Sequence, residues 1–253
     1  MTCIFGEEVL IEPGAILNVI GGSIGDRTII RAGARIEGNS VVLGRESYID
    51  HGAVIGGGSC MDEGAFLNAG DFFHMGWNSQ VNIARGVEIG DEVGVGIETK
   101  IFTHGAYLPA DFGFPVQWAP VKIGNRVWLP NAWVNPGVTI GDNVVVTARS
   151  LINSDLPSGC LAGGIPAKIL KEDCRGAFDV DALIAQIKKI VPEAVAKEAN
   201  RGIVIIYKGT YFDISARSIE GPVNDKTEAI KNQLRRNGIR FKFKAVNGEY
   251  VPW

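Results

Sequence analysis

The stretch Ile24-Gly-Asp-Arg-Thr-Ile-Ile30-Arg-Ala-Gly-Ala-Arg-Ile36-Glu-Gly-Asn-Ser-Val-Val-Leu43 decides the fold. Ile24, Ile30 and Ile36 fall six residues apart, and Leu43 follows one residue late. The same spacing leads back to Leu17 and Ile11 and forward through Ile49, Ile55, Met61 and Leu67. It resumes at Ile83, Ile89, Val95 and Ile101, and again at Ile123, Leu129, Val134, Ile140, Val146 and Ile152. Two residues before each mark stands a small or β-branched residue, such as Thr28, Ala34, Val41, Ser47 and Ala53; only Gly22 departs from the rule. A period of six fits neither the 3.6 of a helix nor the simple alternation of a half-buried strand. It suits a coil of short strands and tight corners, with the aliphatic mark inward and the small residue where a larger one would not fit. Glycine follows many marks (Gly25, Gly56, Gly90, Gly124, Gly141) and reads as a corner residue chosen for unusual backbone angles. No such coil can bury its core alone, so the coils must stack.

The repeat is interrupted twice, over 68–82 and 102–120, and both segments read as loops leaving the solenoid. The first holds Asp71, Phe73, His74, Trp77 and Asn78; the second holds His104, Tyr107, Asp111 and Trp118. Together they carry two of the three histidines, and loops on a rigid scaffold are where binding and catalytic groups concentrate. The remaining totals are permissive. The formal net charge of -3 has no like-charge block behind it, so nothing favours nucleic acid. The start has no basic-then-apolar signal, and no apolar run approaches the ~20 residues of a membrane span. Cys3, Cys60, Cys160 and Cys174 are scattered and form no C-x-x-C pair. Reduced thiols in a cytoplasmic protein are the expectation.

After the second interruption the chain reads Val121-Lys-Ile-Gly-Asn-Arg-Val-Trp128, then Asn135-Pro-Gly-Val-Thr-Ile-Gly-Asp142, Ser154-Asp-Leu-Pro157 and Gly163-Gly-Ile-Pro-Ala-Lys168-Ile-Leu170. These runs resemble the carboxyl-terminal signature of the hexapeptide-repeat acyltransferase superfamily. Within it they look most like the galactoside, maltose and colanic-acid type acetyltransferases and the xenobiotic acetyltransferases. The resemblance covers 83–171 as signature and 5–82 as repeat only. One departure is Trp128-Leu129-Pro130, where the family usually has Trp-Ile-Gly. The resemblance implies a mainly β fold, a left-handed parallel β-helix with three faces per coil, assembled as a homotrimer.

It also implies chemistry. Transfer of an acetyl group from acetyl-CoA requires removal of a proton from the acceptor hydroxyl or amine. It also requires stabilisation of a tetrahedral oxyanion and alignment of the two substrates. Histidine suits the first task because its ordinary pKa lies near neutrality. The family places a histidine in the loop before the signature, and the matching residue is His104. No serine or cysteine stands beside it as a nucleophile, so direct attack is expected. The indole of Trp128 or corner backbone N–H groups would meet the oxyanion. Asn131, Ala148 and Asn153 match positions that line the coenzyme groove between subunits, and Lys168 matches the cation at the nucleotide phosphates. Asp71, His74, Trp77 and Asn82 offer the hydrogen bonds and aromatic face that a sugar or nucleotide-sugar acceptor would need. No metal is called for. The competing readings are a γ-carbonic-anhydrase-like metalloenzyme built on His51, His74 and His104, and a non-catalytic solenoid used for assembly.

Residues 172–253 show no such resemblance. Val180 to Val191 puts apolar residues on one helical face, with Pro192 after it. Gly202–Tyr207 and Thr210–Ile214 read as strands about Lys208-Gly209. Asp225 with Glu228 reads as a helix start and Asn237-Gly238 as its stop, and Asn247-Gly248 marks a hairpin. The tail is thus expected to be a small α+β C-terminal domain following a solenoid of residues 1–171.

Overall fold

The computed structural model describes residues 3–199 and 202–253. Within it Met1–Arg175 and Gly176–Trp253 form separate compact units. The first is a parallel β-helix in which short strands stack coil upon coil into three faces. The first face stacks Leu10–Ile11, Ile29–Ile30, Tyr48–Ile49, His74–Met75, Gly94–Val95, Trp128–Leu129, Val145–Val146 and Leu161–Gly164. Ala167–Lys171 then folds back antiparallel on the last of these. The second face carries Val54–Gly56, Gln80–Asn82, Lys100–Ile101, Trp133–Val134 and Leu151–Ile152. The third carries Phe66–Ala69, Val87–Ile89, Val121–Ile123 and Thr139–Ile140. Near the start, Ile16–Ile24 and Arg35–Leu43 each turn the corner from the second face to the third without a break.

The marks read from the sequence line the interior. Ile30, Ile36, Ile49, Ile55, Val95, Ile101, Leu129, Val134 and Ile152 are fully buried. So are the small residues beside them, including Thr28, Ala34, Ala53 and Thr99. Gly22 breaks the small-residue rule for a steric reason: a Cβ there would lie 1.9 Å from the carbonyl oxygen of Val41 in the next coil. Coils are tied further by side chains that accept the amide of the coil before. Asp71 Oδ1 takes the amide of Arg45 at 2.9 Å, Asp91 Oδ1 that of Asp71 at 2.8 Å and Asn125 Oδ1 that of Asp91 at 2.9 Å.

Two expectations are corrected. Of the glycines named after the marks, Gly56 (φ 137) has the unusual backbone expected, while Gly25, Gly90, Gly124 and Gly141 are there for close approach between coils. A Cβ on Gly25 would lie 2.5 Å from the backbone of Gly44, and one on Gly44 2.3 Å from that of Gly70. The left-handed backbone at these corners falls two residues later, on Arg27 (φ 54), Glu46 (φ 56), Glu92 (φ 58) and Arg126 (φ 55). The second correction is larger. Residues 68–82 are no loop: Phe66–Ala69, His74–Met75 and Gln80–Asn82 are ladder strands of an ordinary coil. The register pairs Leu67 with Val41 and Ala69 with Leu43, so Leu67 occupies the small-residue position and Ala69 the mark. Phe73, Met75, Ser79 and Val81 continue that shifted frame, fully buried. The true insertion is 57–64, between Val54–Gly56 and Phe66–Ala69. Met61, read as a mark, lies in it and is exposed.

The second unit is a six-stranded antiparallel sheet with the helices Val180–Ile190 and Asp225–Arg236. Its core includes Leu183, Ile187, Phe212, Ile230, Leu234 and Tyr250. The second helix is capped by Asn224, in a reciprocal box with Thr227, rather than by Asp225 and Glu228. Glu228 instead bonds Lys231 at 2.7 Å and accepts from the Tyr250 hydroxyl. The strands Val195–Ala199 and Ser218–Pro222 complete the sheet beyond the strands and hairpin read from the sequence. Among the described residues no helix is long and apolar enough to cross a membrane.

Candidate active site

The corner between the second and third faces is where the solenoid opens. Both insertions leave from it: 57–64 after Val54–Gly56, and 102–120 after Lys100–Ile101. The second begins and ends as a short antiparallel pair, with His104 opposite Trp118 and Gly105 opposite Gln117. His104 is held on three sides. Its Nδ1 lies 3.0 Å from Asn82 Oδ1. Its ring lies flat on the indole of Trp118, centroids 4.5 Å apart and planes 11° from parallel. Its Nε2 and Cε1 face Gly58 in the neighbouring insertion, 3.8 Å from where a Cβ on that glycine would stand.

Asn82 is nearly fully buried, and its amide orientation follows from its neighbours. Oδ1 accepts from the Thr103 hydroxyl at 2.6 Å and from the amide of Ala84 at 3.3 Å, while Nδ2 donates to the carbonyl of Gly58 at 3.3 Å. An amide oxygen only accepts, so the hydrogen between it and His104 sits on Nδ1. The Nε2 lone pair is thereby left for a proton from outside, the tautomer a general base needs. Beyond Trp118, the guanidinium of Arg85 lies 4.6 Å from the indole centroid on its ring face. Arg85 Nη1 donates to the carbonyl of Ala84 at 3.0 Å and lies 3.7 Å from Asp62 Oδ2.

The other candidates are spread over the coil cross-section. Asn131 and Ala148 stand at the corner between the first and second faces, where Asn131 Nδ2 donates to Glu98 Oε2 at 3.1 Å. There a groove of about 420 Å³ runs along the second face, lined by Val54, Asn78, Lys100, Asn131 and Trp133. Asn153 is exposed beyond the last strand of the second face, on the His104 corner. Lys168 is exposed on the terminal hairpin, opposite Gly163. Trp128 points outward on the first face and lies over the bare backbones of Gly94 and Gly96.

Three of the four acceptor candidates do not meet His104 within the chain, because the loop expected to carry them is a regular coil. Asp71 serves the amide ladder at the corner between the third and first faces. His74 stacks on Tyr48 of the preceding coil on the first face, centroids 5.1 Å apart. Trp77 is exposed at the next corner. Asn82 alone reaches His104. The three histidines therefore occupy different parts of the cross-section, with His51 beside Asp50. Among the described residues no three His, Cys, Asp or Glu are grouped to hold a metal ion. Sequence reasoning missed Gly58, Asp62, Arg85 and the contact made by Trp118. The run Gly56-Gly57-Gly58 was the one available signal for the insertion, and the apparent mark at Met61 hid it.

No protein-family model matches the chain. The galactoside O-acetyltransferase of Escherichia coli (strain K12) is 30% identical over 143 residues, 53% of this chain and 70% of that protein. The putative colanic acid biosynthesis acetyltransferase WcaF of the same organism is 32% identical over 107 residues, 42% of this chain and 58% of that one. The chain thus spans little more than half of WcaF. Among solved structures, the polySia-specific acetyltransferase NeuO superposes with a TM-score of 0.51 at 18% identity, covering 74% of this chain and 94% of that one. AntD, an N-acyltransferase from Bacillus cereus solved with dTDP and 3-hydroxybutyryl-CoA, gives 0.51 at 17%, covering 76% and 92%. At those identities the two structures speak to the fold alone.

Proposed function

The chain belongs to the hexapeptide-repeat acyltransferases, and on that premise we propose that it carries an acetyl group from acetyl-CoA to a hydroxyl or amino group of a small, sugar-type acceptor. The observation that carries this reading is the Nδ1–Asn82 bond, which leaves Nε2 of His104 as the proton acceptor. In the reaction His104 Nε2 removes the acceptor's proton as its oxygen or nitrogen attacks the thioester carbonyl. Backbone N–H groups at the His104 corner stabilise the oxyanion; the Trp128 indole, outward on the first face over Gly94 and Gly96, is not placed for that role within the chain. His104 then returns the proton to the departing thiolate.

Along the solenoid axis, Lys168 follows the last coil and His104 leaves three rungs earlier, a separation of roughly 14 Å at ~4.8 Å per rung. An extended pantetheine arm covers such a span, with its phosphates at Lys168. Asn131 and Ala148 lie on one edge of the second face and His104 and Asn153 on the other. A homotrimer, with a neighbouring subunit against this region, completes the groove. The E. coli relative's printed name, a galactoside O-acetyltransferase, supports a sugar acceptor. The purified protein, supplied with acetyl-CoA and a panel of free and nucleotide sugars, should release thiol in an acceptor-dependent way, and His104→Gln should slow the release roughly 10²- to 10⁴-fold. Release that ignores the acceptor, or that keeps the wild-type rate in His104→Gln, overturns the reading. Sedimentation should give a trimer; a clean monomer overturns the shared groove.

A further inference from the structure

A general base on a loop must be held in orientation, and Asn82 fixes only one atom of the His104 ring. Rotation about the line through Nδ1 would swing Nε2 away from the acceptor while keeping that bond. The plane of the ring is set by something else. Trp118 stacks on one face of it, centroids 4.5 Å apart and planes 11° from parallel. The Arg85 guanidinium in turn lies over the indole ring, 4.6 Å from its centroid. Arg85 is steadied by the Ala84 carbonyl and by Asp62 of the 57–64 insertion. Carboxylate, guanidinium, indole and imidazole thus follow one another in contact and join both insertions at the opened corner.

We propose that Trp118 is a positioning residue for His104, and that Arg85, anchored by Asp62, holds the indole in place. The proposal rests on the general-base reading and adds to it the group that sets the base's plane. The physics is that of aromatic stacking together with a cation over an electron-rich ring. Trp118 is partly exposed, at 37%, and belongs to the inserted hairpin rather than to the buried core, so its removal should leave the solenoid standing. With one ring face covered, the acceptor must approach the Nε2 edge, and that edge faces Gly58.

The test compares Trp118→Leu, Trp118→Phe and Arg85→Gln with His104→Gln. Trp118→Leu should lower kcat roughly 10- to 100-fold, the scale of a misaligned reacting group, with KM for acetyl-CoA unchanged. Trp118→Phe, which keeps a flat ring, should recover most of the loss, and Arg85→Gln should fall between. The stack can be read without activity. The chain has three histidines, so each imidazole Hε1 resonance is assignable by single substitution. The His104 signal should lie upfield through the indole ring current and move downfield in Trp118→Leu, while that of His74, stacked on Tyr48, stays put. Full kcat in Trp118→Leu with the ring-current shift lost overturns the positioning role and leaves the general base intact. An active His104→Gln overturns the general base itself. Loss in Trp118→Phe equal to that in Trp118→Leu also overturns the proposal, since the flat ring would not then be what matters.

Discussion

Two histidines of this protein lie flat on an aromatic ring. His74 stacks on Tyr48 with planes 7° apart, and His104 on Trp118 with planes 11° apart. The local geometry is almost the same, yet the surroundings differ in kind. His74 points outward from a ladder strand, and its stacking partner is the equivalent residue of the coil before, so the pair follows from the repeat itself. His104 sits where the repeat is broken twice. Its Nδ1 is committed to a buried amide, and its partner comes from the far end of an inserted hairpin. Stacking therefore does not mark a site here. A fixed tautomer at an interruption of the solenoid does.

That comparison is easiest to break at His104. His104→Gln should lower kcat by roughly 10² to 10⁴ with the melting temperature nearly unchanged, because the side chain is on an insertion and outside the core. Asn82→Ala should come next, with a loss in kcat of roughly 10- to 100-fold. It should also destabilise by about 1–3 kcal/mol, since the Thr103 hydroxyl and Ala84 amide lose their acceptor. Asn82→Asp keeps an acceptor at Oδ1 and should recover a large part of kcat. If both Asn82 variants retain full kcat, tautomer control is not what separates His104 from His74.

The difference between the two histidines was half legible in the sequence. The hexapeptide spacing and the signature around Trp128 and Lys168 led to the fold and singled out His104, because repetition makes each coil a test of the next. The frame shift at Leu67 was not legible. Ala69 is a weak mark and Phe73 a large residue at a small-residue position, so a continuous coil looked like a loop. Met61 imitated the repeat across a real insertion and hid the triple glycine at 56–58. Contacts such as Arg85 over Trp118 join residues far apart in sequence through the stacking of coils, and no local pattern encodes them.

Lys168→Ala sharpens the comparison from the binding side. It should raise KM for acetyl-CoA roughly tenfold with kcat unchanged, since a phosphate contact is shared by ground and transition states. An unchanged KM leaves Lys168 a surface lysine. His74→Ala should do less still. It should cost about 0.5–1.5 kcal/mol through loss of the aromatic pair, a fall in melting temperature of roughly 2–4 °C per kcal/mol, with kcat untouched. A rise in acceptor KM without any fall in melting temperature would give His74 the acceptor role that its stacking on Tyr48 argues against.

The smallest effect lies on the same side of the molecule as His74 and separates structural from catalytic electrostatics by pH. Asp50 Oδ1 takes both the amide and the ring Nδ1 of His51, at 2.8 and 2.9 Å. Partial burial pushes its carboxyl up, but the His51 hydrogen bonds and the nearby imidazoles of His51 and His74 outweigh that and hold it below its ordinary value. A carboxyl whose folded pKa is depressed stabilises the fold fully above its unfolded value, near ~3.9, and loses that contribution as pH falls through the folded value. Asp50→Asn keeps an acceptor oxygen but removes the charge. Its melting temperature should therefore lie below that of the wild type at pH 6–7, and the two should converge towards pH 3. The kcat of the variant at neutral pH should equal that of the wild type, because Asp50 and His104 stand at different corners of the coil. A gap that stays constant from pH 7 to pH 3 would mean the hydrogen bonds alone matter. A fall in kcat would mean the Tyr48–His74 side of the solenoid is coupled to the chemistry after all.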